Sequence, residues 1–174
     1  MLTFAPNKQD DYVRFGTDRM FMGTAPTLSV LEAAYGRKSA EGWTEIQIRD
    51  LSEFAGCRDR LDVKQIANVA KVIHTHYGHL KVTELMLFFS LFKAGKYGSF
   101  YGSVDNLRIT EALNKFMDFR FKEINRLREQ QIEAEQARRN AESRANAITY
   151  KEHLRRQALE REAASRQAET PADT

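Results

Sequence analysis

The stretch Leu85–Phe92, LMLFFSLF, permits few folds, because Ser90 is its single polar residue. A segment apolar on nearly every face has to be enclosed on nearly every side. Eight residues fall far short of the ~20 that span a bilayer, so the enclosure must be protein. Gly95, Gly98 and Gly102 follow, interleaved with Lys96, Tyr97, Phe100 and Tyr101. A buried helix thus runs directly into a glycine-aromatic-basic loop.

The rest of the chain reads as a helical shell. Val63, Ile66, Ala70, Ile73 and Tyr77 recur at spacings of three and four, which predicts one buried face of a helix over 62–77. Asp62 suits the positive end of that helix, and Gly78 can take the left-handed conformation that ends it. Thr83 is the expected cap of a central helix over 83–94. A connection of about four residues makes the two an antiparallel hairpin. Asp105 or Asn106 can cap a third helix over 106–128, with Ile109, Leu113 and Phe116 facing the hairpin and Phe119, Phe121, Ile124 and Leu127 continuing the stripe. Upstream, Thr27 can cap a short helix that Gly36 closes. Residues 43–55 carry a ragged helical stripe, while Glu45–Arg49 alternates like a strand; helix is favoured because no second strand is available to pair. Pro6, Gly16 and the Gly23–Pro26 turn leave residues 1–26 as an arm pinned by Phe4, Tyr12, Phe15 and Phe21.

No Gly or Pro interrupts the chain between Ser103 and Glu169. Beyond Gln130 the large apolar residues thin out, and Ala, Glu, Arg and Gln take over. Glu135–Arg139, Glu152–Arg156 and Glu162–Arg166 have the order that supports a helix at i,i+4. Ile132, Ile148, Leu154 and Leu159 are too sparse for coiled-coil heptads. The fold expected is therefore all-α: a small helical bundle over 27–129 with a glycine-aromatic loop, and a long protruding C-terminal helix. The tail, 130–174, is charged and helical or partly disordered, with Pro171 and the last residues disordered.

Composition narrows the chemistry. Residues 122–174 hold 11 Lys/Arg against 10 Asp/Glu, so the tail is not a basic arm. Cys57 is the single cysteine, which excludes an intrachain disulfide and suits a reducing compartment; its expected role is that of a small buried hydrophobe. The N-terminus lacks the basic head and apolar run of a signal peptide, so a cytoplasmic location without a membrane partner is expected. AGKYGS fails as a phosphate loop, since Ser90 stands where the first glycine belongs and Tyr97 follows Lys96. His74, His76 and His79 lack a completing ligand pattern, and His74 and His76 are expected to flank the buried stripe partly exposed. Glu84 suits the helix dipole better than it suits general-base work. A non-enzymatic protein without metal or cofactor is the expectation.

Two stretches are candidates for recognition. In the loop, Lys93, Lys96, Tyr97, Phe100, Tyr101 and Arg108 could meet phosphates and stack bases, or the aromatics could fold back as a lid on the bundle. In the tail, Arg138, Arg139, Ile148, Tyr150, Leu154, Arg155 and Leu159 could meet a protein partner or a second copy of the chain.

The order Ile73, Tyr77, Leu80, then ELMLFFSLFKAGKYGSFYGSVD, then an amphipathic helix, resembles uncharacterised helical proteins of Bacteroides-type phages and mobile elements over residues 60–127. At one remove the layout is similar to the replicative-helicase loader/inhibitor proteins of Gram-positive phages. Those pair a small helical domain with a helix-prone C-terminal segment that engages the helicase. The 60 preceding residues and the glycine-rich loop depart from the loader pattern. The resemblance implies a replication adaptor in a bacterial host cell, with the tail binding a replicative helicase. A nucleic-acid-binding module and a structural or virion assembly protein are the alternatives.

Overall fold

The computed structural model describes residues 4–168, without the side chains of Ile148 and residues 166–168. A short 3-10 turn, Pro6–Lys8, precedes seven α-helices: α1 Gln9–Arg14, α2 Thr17–Met22, α3 Leu28–Tyr35, α4 Arg37–Phe54, α5 Val63–Tyr77, α6 Val82–Lys93 and α7 Asn106–Ala168. The described residues contain no strand, and the protein is all-α. They form two compact units, residues 1–127 and 128–174, and α7 runs through the boundary. The expected disorder at Pro171 and beyond lies outside the described residues.

The first unit is a shell around α6. Leu85, Met86, Phe88 and Phe89 are wholly buried, and Leu87 and Phe92 nearly so. Helices α1, α2 and α4 pack on α6, while α3 and α5 pack on α4. The Phe88 ring lies 5.1 Å from Phe89, 5.5 Å from Phe116 of α7 and 5.8 Å from Tyr97. Edge and offset contacts of this kind add to the gain from burying the rings themselves. Ser90, the polar exception in the run, donates to Asp10 Oδ1 of α1 at 2.8 Å. A hydroxyl enclosed on this helix needs such a partner.

Of the expected arm over 1–26, residues 4–26 are described and form part of this shell. Tyr12, Met20 and Phe21 are buried, and Phe15 is half-exposed. Two six-residue helices are too short to print a readable period, and their burial comes from tertiary contact. Phe4 anchors the segment through its carbonyl, which accepts from Trp43 Nε1 at 2.8 Å and Gln47 Nε2 at 2.9 Å. Gln9 Nε2 donates to Gln47 Oε1 at 2.7 Å, so a buried amide network ties α1 to α4. The ambiguous region 43–55 is helix, and the helix starts earlier, at Arg37. Ala40, Trp43, Thr44, Gln47, Ile48 and Leu51 are its buried face.

Several local expectations need correction. Val63 is exposed, because it sits in the first turn of α5, beyond the reach of the helices that cover Ile66, Ala70 and Ile73. Phe121 is likewise exposed on α7, while Ile109, Leu113 and Phe116 are wholly buried. Gly78 has φ −55° and ends α5 without a left-handed turn. Its lack of a side chain matters for another reason: a Cβ there would stand 2.6 Å from Ser29 Oγ and 2.9 Å from the His74 carbonyl. Ser29 donates from both its amide and its hydroxyl to the Gly78 carbonyl, each at 2.9 Å. Thr83 does not cap α6; the cap position is Lys81, and Thr83 Oγ1 donates to the Met20 carbonyl. The expected caps at Thr27 and Asp62 are present, the latter as a reciprocal capping box with Gln65. Asp105 Oδ1 accepts from the Leu107 amide at the start of α7.

Glu84 does more than face a helix dipole. It is wholly buried; Oε2 accepts from the Lys81 amide at 2.9 Å and Oε1 from Arg120 Nε of α7 at 2.9 Å. The Lys81 ammonium donates to the carbonyls of Phe21 and Gly23 at 2.6 and 2.7 Å. One buried carboxylate thus caps α6 and holds α7 to it.

Candidate functional site

The loop after α6 closes over the core. Gly95, Gly98 and Gly102 have φ of 80°, 103° and 77°, a region costly for residues with a Cβ, and the two aromatics between the last pair are thereby free to diverge. Tyr97 is buried, stacked on Phe88 and edge-on to Phe92 and Phe116. Burial pushes its hydroxyl well above the ordinary tyrosine range, and that oxygen has no hydrogen-bond partner. Phe100 lies 5.2 Å from Phe92 and is partly buried. Tyr97 is therefore a lid and not a stacking platform, while Phe100 covers Phe92 on one side and lines a surface cavity on the other. Lys96 sits 3.5 Å over the Phe119 ring, a cation–π contact that holds its ammonium against the bundle. Lys93 is ion-paired with Asp50 and lies 5.4 Å from the Phe54 ring.

Tyr101 and Arg108 are different. Tyr101 is 81% exposed, and the Arg108 guanidinium lies 5.8 Å from its ring centre. The Arg108 head also approaches Gly98, 3.8 Å from where a Cβ would be. The loop is held in place by a second one: the Asp59 amide donates to the Gly102 carbonyl and the Val104 amide donates to the Asp59 carbonyl. That pairing sets the segment of the exposed Arg58 and Arg60 beside the glycine loop, with Arg60 also lining a groove that holds Glu53 and Asp62. Sequence reasoning passed over both arginines. They are some forty residues from the loop, and the R-x-R spacing that marks them is common on surfaces. Cys57 beside them is partly buried and packs on the core margin.

His74 is buried, against the expectation of partial exposure. Its Nε2 and Thr44 Oγ1 of α4 are 2.9 Å apart, and its Nδ1 lies 3.7 Å from Glu32 Oε1 of α3. Burial lowers its pKa, outweighing the opposing pull of Glu32 and Glu41. Thr44 is wholly enclosed, so this Thr-His-Glu arrangement has no path for a substrate and serves to join α3, α4 and α5.

In the second unit, every side chain described from Arg128 to Ser165 is exposed. Arg139 pairs with Glu135 at 2.6 Å and Arg138 with Glu142 at 3.6 Å, while Arg155 makes no ion pair among the described residues. Solvated pairs of this kind contribute at most about 1 kcal/mol. Tyr150 is 64% exposed, Leu154 45% and Leu159 61%. Tyr150 and Leu154, four apart, share a helix face; Leu159 lies on another. The Ile148 side chain lies outside the described residues. Ile132, 55% exposed, is a further apolar residue on this helix.

A family of unknown function, DUF6633, matches residues 60–164, well over half of the chain. The chain belongs to this family. The DUF6633 region takes in α5, α6, the glycine loop and nearly all of α7, and begins after α1–α4. It thus joins the central helix and the exposed helix beyond residue 128 in one shared sequence unit. No curated protein and no solved structure is similar to the chain. No helix among the described residues is long and apolar enough to cross a membrane.

Proposed function

We propose that this protein is a non-enzymatic accessory factor of a phage or mobile element. It acts as a replication adaptor such as a helicase loader, and its C-terminal helix binds the replicative helicase of the bacterial host cell. The observation that carries this reading is the exposure of the helix from Arg128 to Ser165. Helices in water draw most of their stability from packing an apolar face, and salt-laced surfaces add little. A helix of this length with Tyr150, Leu154 and Leu159 uncovered is suited to being covered by a partner. The DUF6633 match, which continues to residue 164, supports a role for this segment beyond that of a trailing end. The resemblance in layout to helicase loaders favours a helicase as that partner.

The reading is tested by changing Tyr150 and Leu154 together to Glu in the full chain. Both side chains are exposed, so the thermal melt should stay unchanged. Affinity for the purified helicase should fall at least about tenfold, the usual consequence of removing aromatic and aliphatic anchors. Undiminished affinity would exclude this face as the contact. A concentration-dependent change in oligomer size, lost in the variant, would instead assign the face to a second copy of the chain.

A further inference from the structure

Beside the lid is a second surface lined by aromatic rings. Leu51, Phe54, Phe92 and Phe100 wall a cavity of about 180 Å³, with Lys93, Gly95, Gly98 and Ser99 at its mouth. This is room for one planar ring. Phe54 is 61% exposed and is not a core residue; the Lys93 ammonium lies 5.4 Å from its ring centre. Gly98 lines the cavity and also has the Arg108 head beside it, so the Tyr101–Arg108 pair adjoins the cavity through this glycine. Tyr101 supplies a second ring face, turned to solvent.

The surroundings of these rings favour an anion. Arg58, Arg60 and Arg108 make no ion pair among the described residues. The carboxylates nearby are Asp50, Glu53, Asp59, Asp62 and Asp105, and Glu53 and Asp62 line a groove with Arg60 on its side away from the glycine loop. Asp50 is neutralised by Lys93, and Asp105 caps the Leu107 amide. Asp59 lies between Arg58 and Arg60 and is held by its backbone to Gly102 and Val104. Along the loop, the amides of Ser99, Phe100, Tyr101 and Gly102 donate to no protein atom among the described residues. Successive free amides in a glycine-bent segment suit phosphate oxygens.

From this juxtaposition we propose that the surface formed by Phe54, Phe100, Tyr101, Arg58, Arg60 and Arg108 binds single-stranded nucleic acid. One base enters the Phe54–Phe100 slot, its neighbour stacks on Tyr101, and the arginines and loop amides meet the phosphates between and beside them. A duplex keeps its bases stacked on each other and cannot offer one to the slot. The activity is independent of the tail and places nucleic acid on the first unit.

Fluorescence anisotropy of a short labelled oligo(dT) strand against the full chain at low salt tests this. The wild-type protein should bind, and should bind a duplex of the same length more weakly. Tyr101→Ala should weaken binding roughly five- to hundredfold, the worth of one base stack, and Tyr101→Phe should restore it. Replacing Arg58, Arg60 and Arg108 with Ala should flatten the salt dependence by about 0.7 in logarithmic slope for each arginine that meets phosphate. All four positions are exposed, so an unchanged melt accompanies each variant. No binding by the wild-type chain, or equal binding by the arginine variant, would overturn the proposal. Preference for an acidic aromatic peptide over the oligonucleotide would overturn it in favour of a protein ligand.

Discussion

Phe88→Asp abolishes the folded state. The ring is wholly buried and touches Phe89, Phe92, Tyr97 and Phe116. Truncating a buried Phe costs about 3–5 kcal/mol through lost burial and the cavity left behind. Placing a carboxylate in that cavity adds several kcal/mol more, since the surrounding side chains are aromatic rings that cannot pair with it. The sum matches the roughly 5–15 kcal/mol by which a whole domain is stable. Circular dichroism and a thermal melt should show no cooperative transition. Leu87→Asp, on the same helix and 3% exposed, should behave alike. A wild-type melt for either variant would mean that α6 is not the centre of the fold.

The second large effect comes from Glu84→Ala. The substitution strands the Arg120 guanidinium and leaves the Lys81 amide without its acceptor. Breaking one half of a buried ion pair typically costs about 3–5 kcal/mol, much of it from the partner left uncompensated. Glu84→Gln keeps an oxygen for the Lys81 amide and should lose less. Changing Glu84 and Arg120 together to Leu should recover much of the deficit, because no charge then remains buried. Denaturant melts of Glu84→Leu, Arg120→Leu and the double variant measure the coupling directly. Additive losses would show that the two side chains stabilise the fold independently and that the pair does not join α6 to α7.

Much of this architecture is legible in the amino-acid order, and the exceptions have common causes. The run Leu85–Phe92 announces a central helix because it leaves no face for solvent. Thr27, Asp62 and Asp105 announce helix starts because a capping side chain acts within three residues. What depends on distant partners is not legible. Glu84 meets Arg120 across 36 positions and His74 meets Thr44 across 30, so neither pairing leaves a local pattern. The stripes were extended too far at Val63 and Phe121 for a related reason: period shows which face is apolar, not where the neighbouring helix stops. The candidate loop divides along the same line. Its glycines and aromatics stand out, but only the fold separates Tyr97, which closes the core, from Tyr101, which faces outward. The segment of Arg58 and Arg60 is set beside that loop by a backbone pairing between Asp59 and Gly102–Val104.

The central claim is a division of labour, with a self-sufficient core in residues 1–127 and a partner-binding helix beyond it. One experiment addresses both halves: the chain truncated after Glu129 is compared with the full chain in a thermal melt and in capture of the purified helicase. The last buried residue described is Leu127, so the truncated protein should keep a cooperative melt close to that of the full chain. Its capture of the helicase should fall to background. A truncated protein that still captures the helicase, or one that loses its cooperative melt, would contradict the account.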